Sequence, residues 1–561
     1  MYTDNKTVQI VISLLKEYGV RHAVLSAGTR NVPVVHSLEL DPDFKCFSIV
    51  DERSAAYFAL GLALECGEPV LMSCTSGTAT ANYLSAMWEA SRQRLPLIAL
   101  TSDRNQYYLD QLEDQMISQN KMYGKASRKS VTLPIVNDEK DAWYCRRLVN
   151  EALLDLSHRD GGPVHINLPT EWGLFAQNFG VKELPVVPRI YRYTVSDMNR
   201  GIPSVVDKLK TKKRILVIFG QSHGVSPEVV ESINAFASAY NCVIAIETIS
   251  NLNCNATVNT NLMARSLNKE TICEYAPDLV ISVAGDHVST IKGLLKGCPV
   301  DFEHWSVNDD GTVVDQFKKL SSVFACSFEE FFRYFSGQAG DSISDGSYLE
   351  LWRSRIASLP QPDFPYSSAY LMQEFIKAIP ENSLLHHGNG VAVHIAQYFP
   401  TDPSIQSYCH TGTTTIDGGL SSFIGQSCIS KRLSFMFIGD LSFFYDMNAI
   451  WNRYVGKNVR ILLYNNEGGQ TFHWNAAKEI ETLGMHTSAE HFTNAKGWVE
   501  TRGFKYLSAC NKEEFDRLLP EFMTEESDQP ICFEVFTKKE SDGKILHEYY
   551  GQCRDALEKL G

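Results

Sequence analysis

This sequence predicts an α/β protein of three doubly wound parallel-sheet domains, and three observations carry the prediction. Short apolar runs alternate with helical patterns along nearly the whole chain, as strand–helix–strand units of parallel sheets require. Two stretches break the alternation: one contains Pro185, Pro188 and Pro203, and the other is a Gly-, Ser- and Asp-rich segment at 337–347. The chain has 561 residues, enough for about three or four domains at roughly 100–200 residues each. The expected domains are 1–180, 195–336 and 348–561.

The elements follow in order. The first residues carry an acid and polar groups, then an amphipathic helical pattern, which is not the make-up of a signal peptide. Strands are expected at 23–25, 70–72, 97–101 and 164–167, with a helix over 54–65. The middle segment offers strands at 214–220, 242–247 and 279–284. The last offers 434–438 and 459–464, separated by a helical pattern. The longest apolar runs, 215–219 and 279–284, are far too short to span a bilayer, so no membrane insertion is expected.

Composition narrows the function. Hydrophobic residues make up 44% and charged residues 21%, an ordinary globular balance. A formal charge of -14, from 52 Lys+Arg against 66 Asp+Glu, with no basic block, argues against nucleic acid and anionic membranes. The fourteen cysteines form no CxxC pair and have no zinc-ligand spacing, so reduced thiols in a cytoplasmic protein are expected. Walker A, GxGxxG and HExxH motifs are all missing from the sequence.

The most informative stretch is 439–468. A strand runs into Gly439-Asp440-Leu441-Ser442, and a second runs into Asn465-Asn466-Glu467-Gly468. Asp440 and Asn466 are 26 residues apart, the length of one strand–helix–strand crossover. Both loops therefore emerge at the carboxyl edge of one parallel sheet, where ligands bind. A carboxylate, an amide oxygen and the accessible carbonyl of a glycine suit a hard cation. Gly439 and a helix start after Asp440 leave room for a diphosphate beside it. GD followed by NN at this distance is the pattern of thiamine diphosphate enzymes. In the first segment, Asp51-Glu52-Arg53-Ser54 opens a helix. Thiamine chemistry needs one carboxylate to hold N1′ of the aminopyrimidine protonated, and Glu52 is the candidate. Thr75-Ser76-Gly77-Thr78 is a tight turn able to approach a ring.

Together the blocks DERSAAYFALGLAL, CTSGTATANYLSA, TSDR, IDGGLSS, GDLSFFYDMNAI and NNEGGQTF resemble one family across nearly the whole chain. It is the MenD family, the thiamine diphosphate-dependent 2-succinyl-5-enolpyruvyl-6-hydroxy-3-cyclohexene-1-carboxylate synthases of menaquinone synthesis. The resemblance implies domains of the thiamine diphosphate-dependent decarboxylase type: pyrimidine-binding, central and diphosphate/Mg-binding. It implies thiamine diphosphate contacts from Thr75, Ser76, Gly77, Thr78, Ile416, Gly439, Asp440, Leu441, Ser442, Asn466 and Gly468. The metal, Mg²⁺ with Mn²⁺ as the alternative, would lie on Asp440, Asn466 and Gly468. Ile416 would bend the cofactor into its V shape. The implied reaction decarboxylates 2-oxoglutarate and transfers the acyl carbanion equivalent to isochorismate, an anionic acceptor. The implied assembly is a homodimer or homotetramer with active sites at the subunit interface.

Substrate contacts are implied for Thr29, Arg30, Arg104, Gln115, Lys292, His394, Thr411 and Phe472. The sequence departs from the family on the donor side. GNSLxxR reads Gly388-Asn389-Gly390-Val391-Ala392-Val393-His394, and the Arg of NRGxxGIDG is Thr411. Two expected arginines are therefore absent. The alternative reading is a carboligase or decarboxylase using a smaller or less charged donor such as pyruvate, with another acceptor. Lys292 and Arg265 are the cations that a loop shift would bring into the gap. A non-catalytic thiamine-fold subunit is the further alternative, against which the retained Glu52 argues. His386, His387 and His473 are expected as satisfied polar residues.

Overall fold

The computed structural model describes residues 1–158, 161–170, 178–288, 290–340, 344–474 and 480–559. Residues 341–343 of the expected second linker lie outside the described residues. The chain divides into two compact units, Met1–Tyr193 with Gly311–Val323, and Thr194–Asp310 with Phe324–Gly561.

The first unit is built on β1 (His22–Leu25), β2 (Lys45–Ser48), β3 (Val70–Cys74), β4 (Leu97–Arg104), β5 (Ser130–Thr132) and β6 (Val164–Thr170). They form a parallel sheet in the order β2-β1-β3-β4-β6-β5. Successive side chains of a strand point to opposite faces, and both faces are covered here. Ala23, Leu25, Leu71, Ile98 and Leu100 pack under helices Lys6–Glu17 and Glu139–Asp155. Val24, Val70, Met72, Leu97 and Ala99 pack under helices Glu52–Cys66 and Leu84–Gln93. The second set of helices meets the sheet through Ala55, Ala56, Ala59, Ala63, Ala86 and Ala90, small side chains that allow close approach. Asp51 caps helix Glu52–Cys66 by accepting from the Ser54 amide at 2.9 Å, and Gly67 closes the helix in the left-handed conformation. That cap sets Glu52 at the first helical position.

Strands β7 (Tyr191–Thr194) and β13 (Leu320–Ala325) fall where the chain passes from one unit to the other. The second unit contains two sheets. The first has β8 (Ile215–Phe219), β9 (Cys242–Ile246), β10 (Thr257–Asn259), β11 (Leu279–Val283) and β12 (Glu303–Val307), parallel in the order β10-β9-β8-β11-β12. The second has β14 (Leu384–His387), β15 (Gln406–Cys409), β16 (Ser434–Gly439), β17 (Val459–Asn465), β18 (Lys505–Ala509) and β19 (Ile531–Phe536), all parallel in the order β15-β14-β16-β17-β19-β18. Met436, Ile438, Ile461 and Leu463 fill one face. Phe435 and Phe437 fill the other, against Phe375 and Phe522. This is the expected α/β class with three parallel sheets. All fourteen cysteines are free, and no described helix is long and apolar enough to cross a membrane.

Several buried imidazoles make the fold acid-sensitive. His165 lies between the Thr101 and Ser130 hydroxyls, at 2.8 and 2.9 Å, and burial holds it down to about 3. Burial likewise holds His386 down to about 4 and His387 to about 3. An unfolded histidine titrates near 6.5, so below that pH the unfolded chain takes up protons that the folded chain refuses. The contribution of these histidines to stability is therefore full above about pH 6.5 and falls as pH drops toward 3. Each such histidine costs about 1.4 kcal/mol per pH unit in that window. Thermal unfolding of the apoprotein at pH 5.5 should begin several degrees below that at pH 7.5. Equal midpoints would contradict the burial argument.

Candidate functional site

In the first unit, β2, β1, β3 and β4 are parallel neighbours, so the loops leaving them share one edge. Glu52 arrives there from β2. It is half-buried and near Cys74 at the end of β3. Burial pushes the Cys74 thiol up to about 12, and the charge on Glu52 adds to the rise. The loop leaving β1 presses Gly28 against Thr75: a Cβ on Gly28 would lie 2.2 Å from the Thr75 Cβ, so only glycine fits. Thr75 is buried, and its Oγ1 has no hydrogen-bond partner. Ser76 donates to the Gln115 carbonyl at 3.0 Å. The Gly77 amide donates to Gln119 Oε1 at 2.9 Å, and Thr78 opens the short helix that follows.

Thr29 and Arg30 form a single 3-10 turn. Arg30 Nη1 donates to Gln115 Oε1 at 2.8 Å. Burial lowers the Arg30 guanidinium below its ordinary range, and the nearby Arg104 charge lowers it further. Arg104 itself pairs with Glu113. Two guanidiniums held near each other, with an amide beside them, are groups of the kind that pair with carboxylates.

In the second unit, β14, β16 and β17 are neighbours, and the loops after them also share one edge. Asp440 follows β16 and is buried. Its Oδ2 accepts the Asn466 and Gly468 amides, each at 3.0 Å, and its Oδ1 accepts the Leu441 amide at 2.7 Å. Asn466 Nδ2 donates to Gln470 Oε1 at 2.9 Å, which fixes the orientation of the amide. The Asn466 Oδ1 is buried and has no partner. Gly468 holds φ +146°, and a Cβ there would sit 2.9 Å from the Ser488 carbonyl. A carboxylate, an unused amide oxygen and the glycine backbone fit a hard divalent cation. Gly439 closes β16, and helix Asp440–Tyr445 carries Leu441 and Ser442.

Ile416 is exposed in the turn after β15. The same turn holds the buried Thr411 and is tied to Asn389, whose Nδ2 donates to the Thr415 carbonyl at 3.1 Å. His394 lies in helix Val391–Ala396, and Phe472 lies partly exposed in helix Gln470–Trp474. Lys292 lies in helix Ile291–Gly297. Its charge helps hold His287 down to about 4, after burial. The loop before that helix approaches the turn after β15: a Cβ on Gly412 would lie 3.8 Å from Asp286 Oδ2.

Glu52, Thr29, Arg30, Thr75 to Thr78, Arg104 and Gln115 are thus gathered in the first unit, and the remaining expected residues lie in the second. Sequence reasoning missed several groups. Gln119 links Gly77 to Ser102 and Asn167. Gln470 holds Asn466 and donates to Ser368 Oγ at 3.0 Å. His491 Nε2 lies 3.2 Å from Asp440 Oδ2. Asp542 is pushed up to about 6 by burial, opposed by hydrogen bonds that include Asn466. Lys539 Nζ reaches the Glu467 carbonyl at 3.3 Å and Glu490 Oε1 at 2.9 Å. Nothing local in the sequence marks them. His386 is satisfied by Gln426 at 2.6 Å, and His473 reaches Ser488 Oγ at 3.3 Å. His387 differs from expectation: it is buried with neither ring nitrogen partnered.

Comparison with known proteins shows the family. The model of the "Thiamine pyrophosphate enzyme, N-terminal TPP binding domain" matches residues 5–122. A protein of Bacteroides fragilis is 37% identical, covering 99% of this chain and 100% of its own. One of Bacteroides thetaiotaomicron is 37% identical with the same coverage. One of Phocaeicola vulgatus is 36% identical, covering 98% of this chain and 99% of its own. All three are named 2-succinyl-5-enolpyruvyl-6-hydroxy-3-cyclohexene-1-carboxylate synthase. With that identity over nearly the full length, and the thiamine-enzyme model falling on the unit that carries Glu52, the chain belongs to the 2-succinyl-5-enolpyruvyl-6-hydroxy-3-cyclohexene-1-carboxylate synthase family of thiamine diphosphate-dependent transferases.

Proposed function

We propose that the protein decarboxylates 2-oxoglutarate and transfers the succinyl carbanion equivalent to isochorismate, in the cytoplasm, as a step of menaquinone synthesis. One observation carries the reading. Adjacent strand ends present a carboxylate and a buried, unused amide oxygen, in a chain 37% identical over its length to synthases of that name. Bound thiamine diphosphate supplies the electron sink that lets CO₂ leave a 2-oxo acid. Asp440, Asn466 Oδ1 and the Gly468 carbonyl hold Mg²⁺. Gly439, Leu441 and Ser442 line the diphosphate, while Thr75 to Thr78 and Ile416 position the ring system. Glu52 holds the proton at N1′. Thr29, Arg30, Arg104 and Gln115 orient the acceptor's carboxylates. Lys292, His394, Thr411 and Phe472 border the donor. The domains are 1–180, 195–336 and 348–561.

Glu52 acts on the cofactor held by a second copy of the chain, so the working form is a homodimer, or a homotetramer made from two such pairs. Light scattering during turnover should give at least twice the chain mass. An active monomer would contradict the shared site. The reaction is tested with thiamine diphosphate, Mg²⁺, 2-oxoglutarate and isochorismate, by following CO₂ release and loss of isochorismate. A kcat/KM for pyruvate comparable with that for 2-oxoglutarate would instead favour the smaller-donor carboligase. Cofactor binding without CO₂ from any 2-oxo acid would favour the non-catalytic subunit.

A further inference from the structure

We infer that Arg265 and His394 together form the subsite for the far carboxylate of the 2-oxo acid donor, an assignment that rests on the donor being 2-oxoglutarate. Such a donor carries a carboxylate at the end remote from the bond that breaks. Burying that group without a cation and directed donors would be costly. Gly390 and Thr411 bring no charge to the edge of the sheet where the donor binds.

The backbone leads from the metal-binding loops to this pair in short steps. β14 lies beside β16, with His387 opposite Phe437, so the 388–390 loop emerges next to Gly439 and Asp440. A Cβ on Gly390 would lie 3.5 Å from Thr471 Oγ1, in the helix that follows Gly468. Helix Val391–Ala396 therefore begins at the site itself. His394 is four residues beyond Gly390, one helical turn along the same face.

Arg265, from helix Asn261–Ser266, meets His394 there: its Nη2 lies 3.4 Å from His394 Nδ1. A guanidinium has donors only, so Nδ1 is the acceptor and Nε2 carries the ring proton. The pair then brings one fixed positive charge, held in place beside a neutral imidazole, to the side of the donor, and a guanidinium is the group that suits a carboxylate. Arg265 is also steered by the buried Tyr398 hydroxyl, which shares a 2.5 Å hydrogen bond with Tyr550. Burial, aided by the Arg265 charge, holds His394 down to about 4, so the imidazole stays neutral and the charge is that of Arg265. On this view the arginines missing at 394 and 411 are replaced by one reaching in from another helix, and the smaller-donor alternative loses its motivation.

The test compares 2-oxoglutarate with 2-oxopentanoate, a donor of the same chain length without the far carboxylate. It uses the full-length enzyme with thiamine diphosphate and Mg²⁺. R265M should lower kcat/KM for 2-oxoglutarate by about ten- to a hundredfold, mainly through KM, and leave 2-oxopentanoate unchanged or improved. R265K, which keeps the charge but not the fork, should fall between. H394Q should reduce the same ratio by a smaller factor. Inhibition by glutarate should weaken in R265M by the factor seen in KM. The ratio of the two donors does not depend on how much variant enzyme is folded. An unchanged ratio, or an equal fall for both donors, overturns the assignment while leaving the proposed reaction standing. Failure of the wild type to release CO₂ from 2-oxoglutarate overturns the donor reading, and the assignment with it.

Discussion

Glu52→Gln should lower turnover by about two to four orders of magnitude, the range for losing a positioned proton-transfer group. Glutamine keeps the size and most of the hydrogen-bonding reach of the carboxyl, but it cannot take the charge that keeps a proton on N1′. Position supports the isolation of this effect. Glu52 is the first residue of its helix, and the cap is made by the neighbouring Asp51, so the substitution leaves the helix start intact. Cofactor affinity should stay within a few-fold of wild type. Two measurements check it: steady-state CO₂ release, and exchange of the C2 proton of bound cofactor followed by NMR. Intact exchange in the variant would remove Glu52 from the proton relay.

Asp440→Ala should act on a different step. It removes the proposed cation ligand and also strands three amides, those of Leu441, Asn466 and Gly468, two of which share Oδ2. Each buried donor left without an acceptor costs about 1–3 kcal/mol. Cofactor affinity at fixed Mg²⁺ should fall by at least about two decades, and the dependence on Mg²⁺ concentration should flatten. Titration calorimetry with thiamine diphosphate across a Mg²⁺ series reads both. A variant that binds the cofactor with an unaltered Mg²⁺ dependence would move the ion away from Asp440.

The interior of the fold was legible in the sequence because its central strands are buried on both faces. β3, β4, β8, β11, β16 and β17 read as near-continuous apolar runs, even though β17 carries the buried Arg460. That guanidinium is satisfied by the carbonyls of Phe522, Thr524, Lys457 and Val459, and nothing in the local sequence announces it. β2, β5, β15 and β18 were not legible: they are short, lie toward the sheet edges and alternate with polar residues. β14 was hidden by ending in His386-His387. The same division holds in the site. Asp440 and Asn466 could be found because glycines flank them at one crossover's spacing. Gln119, 42 residues from Gly77, and Arg265, 129 residues from His394, become neighbours only through folding.

The hydrogen bonds that Asp440 accepts also bear on how the proposed ion would arrive. They come from the backbone of the 466–468 loop, so the loop is pinned by the protein's own amides, and Gln470 fixes the Asn466 side chain in advance. Little conformational entropy then remains to be lost when a cation binds. Association should be limited by shedding water from Mg²⁺, an ion that dehydrates reluctantly, and not by a rearrangement of the chain. Backbone amide exchange at Glu467 and Gly468 should consequently slow only slightly on adding Mg²⁺, the result expected of a loop already set.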